Sequence, residues 1–296
     1  MKILITGASG LLGSKVVEII SNNSYEVFPC YYSHPIHINN AIKLNLIDKD
    51  SLMKVMEKVR PDVIIHSAAL TDVDLCEKEK ELALKINSNS TELISNYAKK
   101  LNAYLIYVSS DYVFDGEKGN YKEEDEPNPI NFYGYTKLLG EIAVSSICND
   151  YLIVRTSVIY GSKPARDKIN FALWVLDKLS NNKKIKVLVD QFVSPTLNTN
   201  LAEMLLEAIE RRLTGICHMS GATRISRYDF AKELAKVMDL NVDLIEEARM
   251  QNMNWAAKRL KDSSLNVEKA KSTLNTKPLE IGEATRRLKM EVESYA

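Results

Sequence analysis

The first thirteen residues, MKILITGASGLLG, constrain the fold more than any other segment. Lys2 to Thr6 is a short, mostly apolar, strand-like run, and a turn carrying Gly7, Gly10 and Gly13 follows at once. Directly behind the turn, Leu11 to Ile20 has the apolar periodicity of a helix. Gly7 permits the tight turn, Gly10 lets a phosphate approach the backbone, and Gly13 lets helix and strand pack closely. The helix start then offers unpaired N–H groups and a positive dipole end to an anion. The usual dinucleotide spacing is G-x-G-x-x-G, and here it is G-x-x-G-x-x-G with the same physical roles. Gly7, Ser9, Gly10, Leu11, Leu12 and Gly13 are therefore candidates for holding a dinucleotide.

Strand and helix signals alternate after this turn. Residues 25–31 read as a second strand, with Pro29 placing it at an edge. Ser51 to Val59 reads as a helix capped by Ser51. VIIHSAA at 63–69, Leu105 to Ser109 and Tyr151 to Thr156 read as further strands, and Leu82 to Lys100 as a long helix. A helix carrying Tyr133 continues through Leu138 to Ile147, with Pro129 suited to its first turn. This order predicts an α/β fold, a Rossmann-type doubly wound parallel sheet with a smaller C-terminal substrate domain. The expected division is 1–160 for the NAD(P)-binding domain and 161–296 for the substrate-binding domain. Part of 190–220 is expected to return to the main sheet. Gly161 to Lys168 reads as a polar loop, Phe171 to Leu179, Leu201 to Arg212 and Tyr228 to Met238 as helices, and Ile185 to Val189 and Ile216 to Met219 as strands.

Composition narrows the function classes. The 296 residues carry 39 Lys plus Arg against 39 Asp plus Glu, a formal net charge of +0. Bulk attraction to nucleic acid or an anionic membrane is not expected. Cys30, Cys76, Cys148 and Cys217 form no Cys-x-x-Cys pair, which fits buried thiols in a reducing compartment. The glycines interrupt the N-terminal apolar run too early for a signal peptide, so a cytoplasmic location is expected. His34 and His37 have no acidic or Cys partner in sequence and Pro35 lies between them, so no metal site is expected. Glu123 to Glu126 reads as a solvated acidic loop.

The chemistry-bearing stretch is Tyr104 to Lys137. Ser109 and Ser110 end an apolar run, and Tyr133 and Lys137 stand four residues apart, on one helix face. A free phenol titrates near pH 10, and a neighbouring ammonium would draw it down. With a Ser hydroxyl to hold a carbonyl oxygen, Ser110, Tyr133 and Lys137 are the parts needed to move a proton onto or off that oxygen. Cofactor preference rests on the end of the second strand, Cys30-Tyr31-Tyr32-Ser33-His34, which has no acidic residue to bind a free ribose. Tyr32 and Ser33, or Lys15, have room to take a 2′-phosphate there, so NADP(H) is favoured, with NAD(H) as the alternative.

The glycine turn, Ser110 and Tyr133-x-x-x-Lys137, in that order, resemble the extended short-chain dehydrogenase/reductase family. The finer resemblance is to dTDP-4-dehydrorhamnose reductases. SSDYVFDG at 109–116, HSAALTDVDLCE at 66–77 and NPINFYGYTKLLGE at 128–141 carry it, with VRTSVIYG at 154–161, DQFVSPT at 190–196 and CHMSGATRISRYDFA at 217–231. It covers roughly residues 1–240. The resemblance implies that Tyr133 donates a proton to a ketone oxygen, that Lys137 lowers its pKa and holds the nicotinamide ribose, and that Ser110 hydrogen-bonds the carbonyl. It also implies that Ala68, Ala69 and Leu70 line the cofactor, that Ser157, within Thr156 to Val158, faces the nicotinamide, and that Thr71, Val73, Asp111 and Tyr112 lie near the sugar. Asp111 has a structural alternative, accepting backbone N–H bonds in its loop. Asn87 is expected to bond backbone near the site, and Trp174 and Phe171 to form core or pocket wall.

The implied reaction is NADPH-dependent reduction of a nucleotide-sugar substrate, dTDP-4-dehydrorhamnose, to dTDP-rhamnose by a homodimer. The chain is also similar to the regulatory beta subunit of methionine adenosyltransferase, notably at SSDYVFDG, Tyr121 to Asp125 and 218–221. That similarity implies a cofactor-binding regulatory role. A nucleotide-sugar epimerase or dehydratase is a third reading, weakened for a dehydratase because Tyr112 follows Asp111 where a second carboxylate is wanted. Two positions depart from the reductase pattern: Leu260 follows Arg259 where Pro is usual, and His66 stands where many reductases carry Asn.

Overall fold

Hydrogen bonding joins seven strands into one parallel sheet: β1 Lys2–Thr6, β2 Glu26–Tyr31, β3 Ile42–Lys43, β4 Val63–His66, β5 Tyr104–Val108, β6 Tyr151–Arg155 and β7 Gly215–His218. The computed structural model describes residues 1–165 and 168–294. The order across the sheet is β7-β6-β5-β4-β1-β2-β3. Side chains along β1 alternate between two cores, as the strand period requires. Ile3 and Ile5 pack with Leu12, Val16 and Ile20 of helix α1 (Leu11–Ser21) and with Leu201 and Leu205 of the helix Asn198–Arg211. Leu4 faces the other way, onto Leu52 and Met56 of α2 (Lys49–Val59). The central strands are buried on both faces, which is why they read as continuous apolar runs.

Strand order reverses at β1. The chain leaves β1 for β2 on one side and later places β4 on the other, so the loops after β1 and β4 diverge and leave a crevice at the carboxyl ends of the strands. The chain returns to this sheet late. Gly215–His218 pairs with β6 in register from Gly215 opposite Leu152 to His218 opposite Arg155. A third core lies apart from the sheet. It is built by Phe230 and Leu234 of the helix Arg227–Val237, Val175 and Leu179 of Phe171–Ser180, and Leu288 of Ile281–Glu293.

Local expectations meet three corrections. The α2 helix begins at Lys49, and Asp48 caps it by accepting from the Asp50 and Ser51 amides, so Ser51 is not the cap. Pro129 lies ahead of its helix, which starts at Phe132 with Asn131 as cap. The long helix is three consecutive segments, Lys80–Ala83, a π-helical turn Leu84–Asn89 and α4 (Ser90–Leu101), after a short α3 (Val73–Lys78). Pro29 is tolerated in β2 because β3 pairs only with Cys30 and Tyr31, leaving the outer side of Pro29 unpaired. The loop expected at Gly161–Lys168 contains positions 166 and 167, which lie outside the described residues. Among the described residues no helix is long and apolar enough to cross a membrane.

The closest contact in this part of the fold is at Gly13, where a Cβ would strike the Gly7 carbonyl. Gly13→Ala is expected to destabilise the protein by about 1–3 kcal/mol, as overpacking usually does. Urea denaturation measures this, and a variant as stable as the parent contradicts the contact.

Candidate active site

The site forms where β5 ends. The Ser109 amide still bonds the Val154 carbonyl at 2.7 Å, and the chain then turns through the short 3₁₀ segment Asp111–Val113. Ser110 caps that turn: its Oγ accepts the Tyr112 N–H at 3.2 Å and donates to Asp111 Oδ1 at 2.8 Å. Helix α5 (Phe132–Ile147) lies against this strand end, with Gly134 passing the Tyr112 carbonyl so closely that no Cβ fits. The i, i+4 spacing places Tyr133 and Lys137 together on the buried face.

Tyr133 packs among Cys76, Ala83, Leu70, Val73 and Tyr112, and the Tyr112 ring meets it edge-on with centroids 5.6 Å apart. Burial holds the Tyr133 phenol above its ordinary pKa, against the opposing effect of a hydrogen bond with Ser110. The expected lowering by Lys137 is therefore not the outcome of this geometry. Lys137 Nζ donates to the Val108 carbonyl at 2.8 Å and sits 4.1 Å from the Tyr107 ring centroid. Burial pulls the Lys137 pKa down to about 7, while Glu141 acts in the opposite sense. A phenol protonated throughout the neutral range is suited to giving a proton rather than taking one.

Asp111 is buried, and its carboxylate accepts from the hydroxyls of Ser110 and of Ser157, the latter at 2.7 Å. Its structural alternative is thus realised through serine hydroxyls rather than the backbone N–H bonds expected. Burial raises its pKa, and the hydroxyls of Ser263, Ser157 and Ser110 oppose that. The Ser157 hydroxyl is thus oriented by Asp111 in the loop that follows β6. Its neighbour Val158 has φ +40°, a strained conformation for a β-branched residue. Thr196 holds it, its amide bonding the Val158 carbonyl at 3.1 Å and its hydroxyl the Ser157 carbonyl at 2.6 Å.

On the crevice side, α1 starts at Leu11 with Gly10 as cap and no side-chain cap bond. Its first N–H groups are thus unclaimed by a side chain, as an anion site needs. A Cβ at Gly7 would strike the Ala68 amide, so the turn through Ser9 to Gly13 and the loop Ala68 to Leu70 lie together. Asn87, on the π-helical turn, grips that loop: its Oδ1 accepts the Leu70 N–H at 2.8 Å, and its Nδ2 donates to the Leu70 carbonyl at 3.1 Å and to Thr136 Oγ1 at 3.0 Å. His66 is buried between Thr6 Oγ1 at 2.7 Å and Thr91 Oγ1 at 3.0 Å. Burial, with Lys137 nearby, lowers its pKa to about 3 and keeps it neutral. Tyr32 and Ser33 lie just past β2, Tyr32 exposed and Ser33 bonded to His34 at 3.0 Å. Lys15 is paired with Glu18 at 2.9 Å.

On the substrate side, Thr71 is exposed and Val73 and Tyr112 are half-buried. A cavity of about 250 Å³ opens between the third core and Met253, which begins a strap of residues 253–262 with little regular structure. Phe171, Trp174, Lys186, Gln191, Arg227 and Met253 line it, so Phe171 and Trp174 are pocket wall. Arg227 is the residue sequence reasoning missed. Its Nε is buried without a partner, its guanidinium lies 5.1 Å from the Phe171 ring, and its charge faces Tyr112 and Asp111. The only sequence signal was its place in the segment 217–231. Arg259 forms a two-pronged pair with Asp74, at 3.0 and 2.8 Å, and so ties the strap to α3.

Residues 1–293 match the family described as RmlD substrate binding domain. The chain belongs to that family. Within the RmlD family and its relatives, the fold is close to a crystal structure of a hypothetical dTDP-4-dehydrorhamnose reductase from Sulfolobus tokodaii, at TM-score 0.86 and 42% identity, covering 94% of this chain and 97% of that one. It is similarly close to a dTDP-4-dehydrorhamnose reductase from Bacillus anthracis in complex with NADP, at TM-score 0.88 and 30% identity over 98% and 99% of the two chains. It is also 36% identical over 243 residues to the methionine adenosyltransferase 2 subunit beta of Xenopus tropicalis, covering 80% of this chain and 72% of that protein.

The buried ammonium has a consequence for stability. The folded protein releases the Lys137 proton near pH 7, whereas the unfolded chain keeps it to about pH 10.4. The unfolded state therefore binds more protons in this window, and this group makes stability rise with pH above about 7. Lys137→Met is expected to flatten the slope of unfolding free energy between about pH 7 and 9, read from denaturation curves. An unchanged slope contradicts the burial of the charge.

Proposed function

We propose that this RmlD-family chain is an NADPH-dependent reductase that converts dTDP-4-dehydrorhamnose to dTDP-rhamnose. The observation that carries this reading is the buried Tyr133 phenol set against Ser110 beside the glycine-rich crevice. The uncapped start of α1 and the Gly7–Ala68 approach suit a pyrophosphate, so Gly7, Ser9 to Gly13 and Ala68 to Leu70 would hold the dinucleotide. When bound, NADPH supplies a hydride. Tyr133 gives its phenolic proton to the ketone oxygen as the alkoxide develops. Ser110 orients the same oxygen, turning its hydroxyl away from Asp111, which keeps its bond from Ser157. Lys137, held at the Val108 carbonyl by one N–H, offers its remaining donors to ribose hydroxyls and favours transient phenolate. Tyr32 and Ser33 take a 2′-phosphate.

The cavity beside Arg227 receives the nucleotide, its guanidinium meeting phosphate charge and the Phe171 and Trp174 rings packing on the base. Thr71, Val73 and Tyr112 border the sugar. Residues 1–160 with the returning strand Gly215–His218 form the cofactor half, the remainder the substrate half, and the working unit is a cytoplasmic homodimer. The 36% identity to the methionine adenosyltransferase 2 subunit beta favours a second reading, a cofactor-binding regulatory subunit in which the same residues are kept without turnover.

NADPH oxidation with dTDP-4-dehydrorhamnose separates the two. Turnover supports the first reading, and a folded, NADPH-binding protein that oxidises none supports the second. Tyr133→Phe is expected to lower kcat by ~100-fold or more, as loss of a general acid does; near-normal turnover removes Tyr133 as donor. Titration should show NADPH bound more tightly than NADH, and the reverse order contradicts the role of Tyr32 and Ser33.

A further inference from the structure

One buried ion pair beside the site has no part in the reaction described above. Glu141 stands one helical turn beyond Lys137 on α5, as Lys137 stands one turn beyond Tyr133, and all three lie on the buried face. Arg155, the last residue of β6, meets Glu141 through Nε at 3.0 Å to Oε1 and Nη2 at 2.7 Å to Oε2. The Ser109 hydroxyl donates to the same Oε1. Two charges so buried carry a large desolvation penalty, and replacement by apolar residues is commonly neutral or better for stability alone. The pairing is also incomplete, because Arg155 Nη1 is buried with no partner.

The contact at Ser109 is informative. Its neighbour Val108 presents the carbonyl that accepts Lys137 Nζ, and its other neighbour is Ser110. Glu141 thus grips the short segment that supplies both the ammonium's acceptor and the candidate carbonyl-binding hydroxyl. The groups that surround Lys137 and its neighbour Glu141 come from four elements. Tyr107 on β5 has its phenol kept neutral by burial, and His66 on β4 is neutral. Arg155 on β6 is paired with Glu141, and α5 itself supplies Tyr133 and Glu141. Asp111 faces Tyr133 and Ser157. Glu141 is therefore the carboxylate in this set that favours the Lys137 ammonium, and Arg155 draws on the same carboxylate.

We propose that Glu141 is a positioning residue for the Tyr133–Lys137 pair, holding the Val108–Ser110 strand end and favouring the charged form of Lys137, and that Arg155 limits how strongly it does so. The grip of Glu141 on Ser109 and its pairing with Arg155 stand on geometry; the effect on turnover rests on the reductase reading. The two substitutions should act with opposite sign. Glu141→Gln keeps the side-chain shape but removes the negative charge, so Lys137 loses its proton at lower pH than the parent's midpoint near 7. Arg155→Met leaves the carboxylate uncompensated, so Lys137 loses its proton at higher pH. A brace that served packing only would weaken folding in both variants without this reversal.

The test is a pH titration of the Lys137 ε-carbon signal in ¹³C-lysine-labelled protein, assigned by its loss in Lys137→Met. The expected shift is about one pH unit downward in Glu141→Gln and upward in Arg155→Met. Arg155→Lys, which keeps the charge, should titrate near the parent and serves if Arg155→Met does not fold. Equal midpoints in parent and Glu141→Gln, or shifts of one sign in both variants, overturn the proposal. This readout needs no turnover, so it stays separate from the NADPH assay. Where the reductase reading holds, the alkaline limb of the kcat profile moves in the same directions.

Discussion

Lys137 is buried between a helix and a strand, and its hydrogen bond to the Val108 carbonyl is the contact on which the site's arrangement depends. An ammonium placed there has lost most of its water and needs fixed acceptors and a nearby negative charge. Val108 supplies the acceptor, the Tyr107 ring a polarisable face, and Glu141 the charge. These demands hold α5 close to the end of β5, which is possible because Gly134 presents no Cβ to the Tyr112 carbonyl. The same closeness buries Tyr133 and brings it to Ser110. Fold and chemistry are thus coupled through one desolvated charge.

A second layer of polar side chains fixes the loops around that charge. Asn87 closes on Leu70 and reaches Thr136, while His66 bridges Thr6 and Thr91. Asp111 collects serine hydroxyls from separate turns, including Ser157 beside the strained Val158. Buried polar networks of this kind tolerate few partial arrangements, since an unpaired member costs the full desolvation penalty. They explain how loops at a strand-order reversal are held without regular secondary structure.

The parallel sheet was legible in the sequence because its signals are local: apolar runs, helical periodicity and a turn that Gly7 and Gly13 make nearly unavoidable. The pairing of Tyr133 with Lys137 was legible for the same reason, since i, i+4 is a property of one helix. What depends on distant segments was not. Asp48 displaced Ser51 as a cap because both residue types cap helices and the two stand only three residues apart. The π-helical turn that aims Asn87 has no simple spacing signature. The bond from Ser157 to Asp111 was not foreseen because the two are far apart in sequence. Arg227 was missed because nothing nearby in sequence marks a buried guanidinium Nε left without a partner beside a cavity. The direction of the Tyr133 shift was also misjudged, since spacing reports a neighbouring ammonium but not how deeply both groups are buried.

Relatives with reductase names and with regulatory names both match this chain in sequence, so the central claim is that the buried Tyr133 proton is delivered to a sugar ketone. The most direct measurement is isotope transfer from NADPH deuterated at the nicotinamide C4 to dTDP-4-dehydrorhamnose, read by mass spectrometry and NMR of the product. The account predicts one deuterium at the sugar C4 of dTDP-rhamnose, with label transfer slowed by ~100-fold or more in Tyr133→Phe. Unlabelled sugar recovered alongside intact, protein-bound NADPH would contradict it.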